Sequence, residues 1–389
     1  MTLKALEGFR SLETQHCVTG SMRHVYVFND HDVSEEMLLG LGGGVSFIYW
    51  HQKGTAPFLG GRGSPRPSLE EIAGRRTGVA IELHTTSSGR KAEQTLLAML
   101  GAGQPVMLQV DMGYLPYFDF GGSDYHFGGH AVVACGYDPE ARQVLIADRD
   151  EELHPVSMED LEKARGSTHK PFPPKHKWYT FDFTHKRPPT AAEVRQAILE
   201  QAQPMLEPPI RNIGVEGIRK AARAVVRWPD SMDDKALRWA LFNAYIFISP
   251  VGGSGGGAFR YMFSRFLREA AEITGDARLN ESATAFQHVG DRWQEVAAIL
   301  KRGSEAEDPV AVLAETTAPM MEIADLEEAA WGRLREGGTG GQGDKGTRGR
   351  GAGEQGGRGA GEQRSGRREA GERKSRGWLV RRLRPRRGR

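Results

Sequence analysis

Cys17, in Thr14-Gln-His-Cys-Val-Thr-Gly-Ser-Met, follows a polar stretch and opens an amphipathic segment. A helix N-terminus would place the thiol there, where unpaired amide N–H groups and the helix dipole favour a thiolate and can hold an oxyanion. A buried structural thiol fits the same residues, so Cys17 alone leaves both readings open. The chain's other cysteine, Cys135, lies inside Ala131-Val-Val-Ala-Cys-Gly-Tyr and reads as core. His130 opens that apolar run, a turn follows at Tyr137-Asp-Pro-Glu, and Gln143-Val-Leu-Ile-Ala ends on Asp148. An antiparallel hairpin of this length brings residues near its open end together, so His130 and Asp148 become neighbours. The carboxylate would fix the imidazole tautomer, and the other ring nitrogen could take a proton from a thiol. Singly each residue has a structural reading; jointly Cys17, His130 and Asp148 describe a nucleophile, a base and an orienting acid.

These residues need elements to hold them. Apolar runs with glycine and proline punctuation predict strands at 45–50, 79–83, 105–111, 130–137, 144–148 and 178–183. Helices are expected at 17–28, after Ser34 as N-cap with Glu35 and Glu36 in the first turn, at 90–100 and at 157–165. The pattern predicts an α+β domain over residues 1–187 with an antiparallel sheet. After Pro188-Pro189 the apolar spacing turns helical, in stretches 190–202, 214–228, 233–249, 257–274, 276–302 and 309–334. A helical domain over 188–335 is expected, and a Gly/Arg-rich, disordered tail over 336–389.

The charge is divided the same way. From Gly337 onward 16 Lys+Arg face 5 Asp+Glu, a net of +11, which leaves −9 for the rest of a chain of formal charge +2. Such a tail is either a solvated extension or a nonspecific contact for nucleic acid or anionic surfaces through counterion release. Nucleic acid is otherwise not an expected partner. No signal peptide is read at the N-terminus, and the apolar run Trp239–Val251 contains Asn243 and stops short of a membrane span. A cytoplasmic protein in a reducing compartment is expected, because two cysteines make no disulfide framework.

Other motifs read as structure. Gly40-Leu-Gly-Gly-Gly44 lacks the Lys-Ser/Thr of a P-loop and follows a helix where a dinucleotide fingerprint would precede one. It ends the Ser34 helix and lets the chain approach the cleft, which makes Gly42 and Gly43 substrate-pocket candidates. Gly252-Gly-Ser-Gly-Gly-Gly257 reads as a flexible connection between two helices. His126, four residues before His130, is not followed by Glu in the zincin manner, so no metal site is expected, and no cofactor. Tyr114-Leu-Pro-Tyr-Phe118 either lines a pocket, with Tyr114 and Tyr117 as candidates, or covers a strand edge.

A cysteine at a helix start, a histidine before a strand ending in Gly-Tyr-Asp, and an aspartate closing the next strand resemble papain-like cysteine enzymes, especially the leader peptidases of bacteriocin exporters. His16-Cys17, Ser34-Glu-Glu-Met-Leu-Leu-Gly-Leu-Gly-Gly-Gly44, Tyr114-Leu-Pro-Tyr117 and Gly129-His-Ala-Val-Val are more similar to the N-terminal domain of butirosin biosynthesis protein H. Gly214-Val-Glu-Gly-Ile-Arg-Lys and Phe266-Leu-Arg-Glu-Ala-Ala resemble the helical domain that often follows it. The resemblance implies acyl transfer in specialised-metabolite biosynthesis. An acyl carrier protein or other thioester would be the donor and a small-molecule amine the acceptor, with Cys17 as nucleophile, His130 as base and Asp148 as orienting residue. Papain-like peptidases place an oxyanion-hole glutamine six residues before the cysteine; here Ser11 stands there, and Gln15 with the backbone N–H of Cys17 are the candidates for that role. A cysteine peptidase or amidase with the same triad, and a non-catalytic binding or assembly module, remain as alternatives.

Overall fold

The computed structural model describes residues 3–339 apart from 53, 54, 64 and 122–124, with the side chains of 338 and 339 also left aside. The Gly/Arg-rich tail expected beyond that point lies outside the described residues.

The chain opens with α1 (Cys17–Phe28), α2 (Glu35–Leu41), β1 (Val45–Trp50), β2 (Phe58–Arg62), α3 (Leu69–Arg76), β3 (Ala80–His84), α4 (Gly89–Gly101) and β4 (Val106–Val110). There follow β5 (His130–Asp138), β6 (Gln143–Ala147), β7 (Leu153–Ser157), α5 (Met158–Gly166) and β8 (Trp178–Asp182). The remainder is helical: α6 (Ala191–Leu206), α7 (Gly214–Val225), α8 (Asp234–Ile248), α9 (Arg260–Thr274), α10 (Arg278–Glu305), α11 (Pro309–Leu313) and α12 (Thr317–Thr339). The architecture is α+β, with antiparallel sheets before residue 183 and helices after it.

Local chemistry sets the helix starts. Ser34 accepts from the N–H of Met37 and caps α2, whose first turn carries Glu35 and Glu36 toward the positive end of the dipole. Ser68 with Glu71 and Thr190 with Glu193 close capping boxes on α3 and α6.

Six strands form one antiparallel sheet in the order β3-β8-β4-β5-β6-β7, and β1 and β2 form a separate hairpin. The central strand β5 is buried along nearly its whole length, which fits its near-continuous apolar run. On one sheet face α4 and α5 cover Leu108, Val132, Ala134 and Ile146. On the other, α1 covers Ala131, Val133 and Cys135, and this core continues into the helical part. Phe47 of β1, for example, stacks on Trp293 of α10 at 5.3 Å. The described residues form one compact unit. Among the described residues no helix is long and apolar enough to cross a membrane.

Candidate active site

His16 makes α1 begin at the cysteine: its Nδ1 accepts from the N–H of Thr19 and lies 3.1 Å from Thr19 Oγ1. The amide of Cys17 is therefore in the first helical turn, where N–H groups have no intrahelical acceptor. Val18, Met22 and Val25 bury the inner face of α1 in the core it shares with β5, and Cys17 stays half-buried at the end of that contact.

His130 and Asp148 owe their meeting to a one-residue irregularity. From the turn, the β5–β6 ladder pairs Asp138 with Gln143, Tyr137 with Val144 and Gly136 with Leu145; it then slips, and Ala134 faces Ile146 and Val133 faces Ala147. Cys135 is the extra residue, a bulge. An unbroken ladder would put Asp148 on the face opposite to His130, because side chains alternate and a one-residue slip exchanges the faces. With the bulge, Asp148 follows as a diagonal neighbour of His130, close enough for a long side chain to reach. The bulge is held from outside: the carbonyl of Cys135 accepts from the N–H of Leu6 at 2.7 Å, and Ala5 bridges to Gly136.

His130 Nε2 lies 2.7 Å from Asp148 Oδ2, and both side chains are almost fully buried. Nε2 so engaged leaves Nδ1 as the ring nitrogen free to serve the sulfur of Cys17, and the His130 ring and the Ala131 N–H both act on that thiol to favour its ionised form. Tyr117 donates from its hydroxyl to the same Oδ2 at 2.9 Å, while Oδ1 of Asp148 is buried with no partner among the described residues.

The charges follow from these contacts. Burial pushes the Cys17 thiol up, but the hydrogen bond and charge of His130, the Ala131 N–H and the charge of Arg62 outweigh it, and the thiol ends below its ordinary value. Burial pushes His130 down, and Asp148 and Cys17 together reverse this and raise it to about 9. Asp148 is likewise pushed up by burial and brought below its ordinary value by His130, Arg149 and Tyr117. Both shifts favour the thiolate–imidazolium form of the pair. Cys135 has only burial acting on it and is pushed up to about 12, as an inert thiol.

The supports come from three directions. Buried Asp111, at the end of β4, accepts from the N–H groups of Gly113 and Phe127 and from Ser167 and His126, and so anchors the loop that carries Tyr117 and Phe118. The ring of Phe118 stands edge-on to His130 at 5.6 Å, and Tyr117 stacks on His154 at 4.1 Å. Glu35 of α2 accepts from the N–H groups of Gln15 and His16 at 2.8 and 2.7 Å. From the helical part, the stretch between α8 and α9 packs on the same loop: a Cβ placed on Gly253 would lie 3.2 Å from the carbonyl oxygen of Gln15 and 3.1 Å from Arg149 Nη1. The sequence reads that stretch as a flexible connection. It does join two helices, but it is a built wall, with left-handed backbone at Gly253, Gly255, Gly256 and Gly257 and, unusually for side-chain-bearing residues, at Ala258 and Phe259.

The structure thus brings Cys17, His130, Asp148 and Tyr117 together. The backbone N–H of Gln15 is committed to Glu35, so it is not free to serve an oxyanion. Ser11, in the position of the expected glutamine, donates to the carbonyl of Asp150. Tyr114 packs on His126 and lies 3.4 Å from His169 Nε2. Gly42 and Gly43 sit at the C-terminal end of α2 beside Leu69 and Pro65, and no described contact joins them to the triad. Among the described residues no cluster of His, Cys, Asp or Glu could hold a metal ion; His126 donates to Asp111 and stacks on His169 at 3.5 Å. A surface cavity of about 750 Å³, lined by Arg195, Ile198, Thr274, Arg278 and Arg333, shares no residue with this site. Glu35 and the wall at 253–259 are the parts that sequence reasoning missed. Glu35 reads as an ordinary first-turn acid, and its length of reach toward residue 15 leaves no trace in spacing.

No curated protein matches the chain. Two family models do. Butirosin biosynthesis protein H, N-terminal, matches residues 16–149 and so begins at His16-Cys17 and ends just past Asp148. A domain of unknown function (DUF4872) matches residues 159–334 and includes β8, the strand that lies between β3 and β4 of the sheet. The chain carries the N-terminal domain of the butirosin biosynthesis protein H family, followed by the helical DUF4872 domain.

Proposed function

We propose that this protein is a thiol-dependent acyltransferase in which Cys17 takes an acyl group from a carrier-protein or pantetheine thioester and passes it to a small-molecule amine. The N-terminal match is to a biosynthesis protein, which supports a biosynthetic enzyme as the coarse reading. The observation that carries the finer one is the alignment of Cys17, His130 and Asp148 at a helix N-terminus, with the thiol below and the imidazole above their ordinary values.

In the first half-reaction the Cys17 thiolate attacks the thioester carbon, the donor's C–S bond breaks, and the departing thiolate takes the proton of the His130 imidazolium. In the second, the acceptor amine attacks the acyl carbon, His130 takes its proton, and the Cys17 sulfur leaves as thiolate. Exchange of one thioester for another is nearly isoenergetic, so the step needs positioning and charge stabilisation more than driving force. The N–H of Cys17 and the side-chain amide of Gln15 face the oxyanion, and Tyr117 holds Asp148 so that it orients the imidazole.

Intact-mass analysis after mixing the full chain with a panel of acyl-pantetheine thioesters tests this. The expected result is a single acyl adduct that Cys17→Ala abolishes and that an added amine discharges with formation of the amide. Cleavage of peptides or amides with no adduct from any thioester would replace the transferase by a hydrolase. A Cys17 no more reactive than a free thiol would remove enzymatic function from the site.

A further inference from the structure

Glu35 is a buried carboxylate, 2% exposed, that takes no part in the proton transfers described above. Burying such a charge is costly unless hydrogen bonds replace its water. Glu35 has three: Oε2 accepts from the N–H of Gln15 at 2.8 Å, and Oε1 from the N–H of His16 at 2.7 Å and from Thr19 Oγ1 at 3.0 Å. The first two donors are the residues immediately before Cys17, and the third is half a turn after it. Hydrogen bonds to an ionised acceptor are short and strong, so this one side chain fixes the backbone on both sides of the nucleophile.

The other side of α2 is gripped by the helical part. Ser34 donates to the carboxylate of Glu269 at 2.7 and 2.8 Å, and Arg265 Nε donates to Glu36 Oε1 at 2.7 Å. A Cβ on Gly40 would stand 2.3 Å from the ring of Phe266, so α2 and α9 touch where only glycine allows it. The same helical part backs Gln15 and His16 directly: a Cβ on Gly255 would lie 3.5 Å from Gln15 Cβ, and Phe259 meets the His16 ring edge-on at 5.3 Å.

We propose that Glu35 is a positioning residue for Cys17 and that the DUF4872 domain serves the site by holding α2, and so Glu35, against the loop that carries the nucleophile. A displacement of about 1 Å in a reacting group can cost on the order of a hundredfold in rate. The domain of unknown function is then the outer half of a clamp on residues 15–17. This rests on Cys17 being an activated thiol but not on the thioester chemistry.

The test is the rate of iodoacetamide alkylation of Cys17 in the full chain as a function of pH, read by mass, alongside thermal unfolding. The charged groups facing Cys17 and His16 are His130, Arg62 and Arg149, and Glu36 faces Glu35; none of them is changed by the substitution. Glu35→Gln keeps one acceptor oxygen but removes the charge and sets an amide donor against one of the two backbone N–H donors. It is expected to lower the plateau rate at least tenfold and to move the titration midpoint upward, with Glu35→Asp recovering part of both. A midpoint unchanged and a rate within twofold of the parent, with only the unfolding temperature reduced, would make Glu35 merely structural and overturn the proposal. Should Glu35→Gln not fold, Arg265→Ala, on the exposed side of α9, decides. A threefold or larger fall in rate with little change in unfolding supports the clamp, and an unchanged rate refutes it. A parent Cys17 that alkylates no faster than a free thiol would overturn this and the proposed function together, whereas failure with every thioester but success here would reject the transferase alone.

Discussion

His130 and Asp148 are joined by a 2.7 Å hydrogen bond between adjacent strands, and Tyr117 donates to the same carboxylate oxygen at 2.9 Å. Asp148→Asn keeps one acceptor but supplies no charge and favours the wrong imidazole tautomer. Acyl transfer is expected to fall by about 10⁴, the scale of the same substitution in a serine-protease triad. Tyr117→Phe removes one of two donors to Oδ2 and is expected to cost far less, about tenfold. Single-turnover kinetics distinguishes the two, and a loss below about tenfold for Asp148→Asn would remove it from the triad. The double variant His130→Ala/Asp148→Asn should be little worse than the worse single one, because the residues act as a unit.

The pH profile follows from opposed shifts. Cys17 is lowered, so it ionises at a lower pH than its ordinary thiol value; His130 is raised and keeps its proton up to about 9. Alkylation of Cys17 is expected to switch on at a lower pH than that of an unperturbed thiol, and acyl transfer to fade as pH rises through about 9, where the imidazolium is lost. His130→Ala removes the partner that offsets burial, so the Cys17 titration should move above that of a free thiol. Alkylation by iodoacetamide between pH 5 and 10 measures the two Cys17 titrations, and single-turnover acyl transfer over the same range measures the loss near 9.

Cys135→Ser should leave the adduct on Cys17 untouched and cost about 1–3 kcal/mol in urea unfolding, since it puts a hydroxyl in an apolar core where the sulfur has only a long 3.5 Å hydrogen bond to the Leu145 carbonyl among the described residues. An adduct on Cys135 would reverse the assignment of the nucleophile.

Arg260 and Glu327 are wholly buried and paired at 2.7 Å, with Trp293 and Trp331 donating to the carboxylate and Arg260 also reaching the carbonyls of Ser46 and Gly61. Glu327→Ala leaves the guanidinium uncompensated and is expected to cost ~3–5 kcal/mol. Because Arg260 ties β1 and β2 to α9, the loss should be shared: tryptophan fluorescence and exposure of Cys135 to a thiol reagent should report one urea midpoint. Two separate midpoints would show that the sheet and the helices unfold independently.

Much of the fold was legible because local signals and tertiary packing agree. Val45–Trp50 and Cys17–Phe28 come out with the bounds their apolar spacing predicts. β2 was missed because Gly60 and Gly61 dilute its pattern, and β7 because Pro155 interrupts it; both are edge or hairpin strands, where such residues are tolerated. The long helical stretch at 309–334 is broken into α11 and α12 by a tight turn at Ala314–Thr316. In the site, the pairing of His130 with Asp148 was legible from a hairpin with a recognisable turn, though the bulge that makes it work was not. Tyr117 was readable only as an aromatic near the cleft, since its hydroxyl's partner comes from 31 residues away. Glu35 and the wall at 253–259 were not legible, because their roles arise from the packing of distant segments.

The bulge at Cys135 is held by Leu6 and Ala5, which lie outside both matched domains. Ala5 and Leu6 are thus wired to the His130–Asp148 pair from behind the sheet. An affinity tag fused there, or a start codon chosen a few positions downstream, would reach the chemistry through the alignment of two strands rather than through any contact with substrate. A preparation altered at that end could be well folded and still slow.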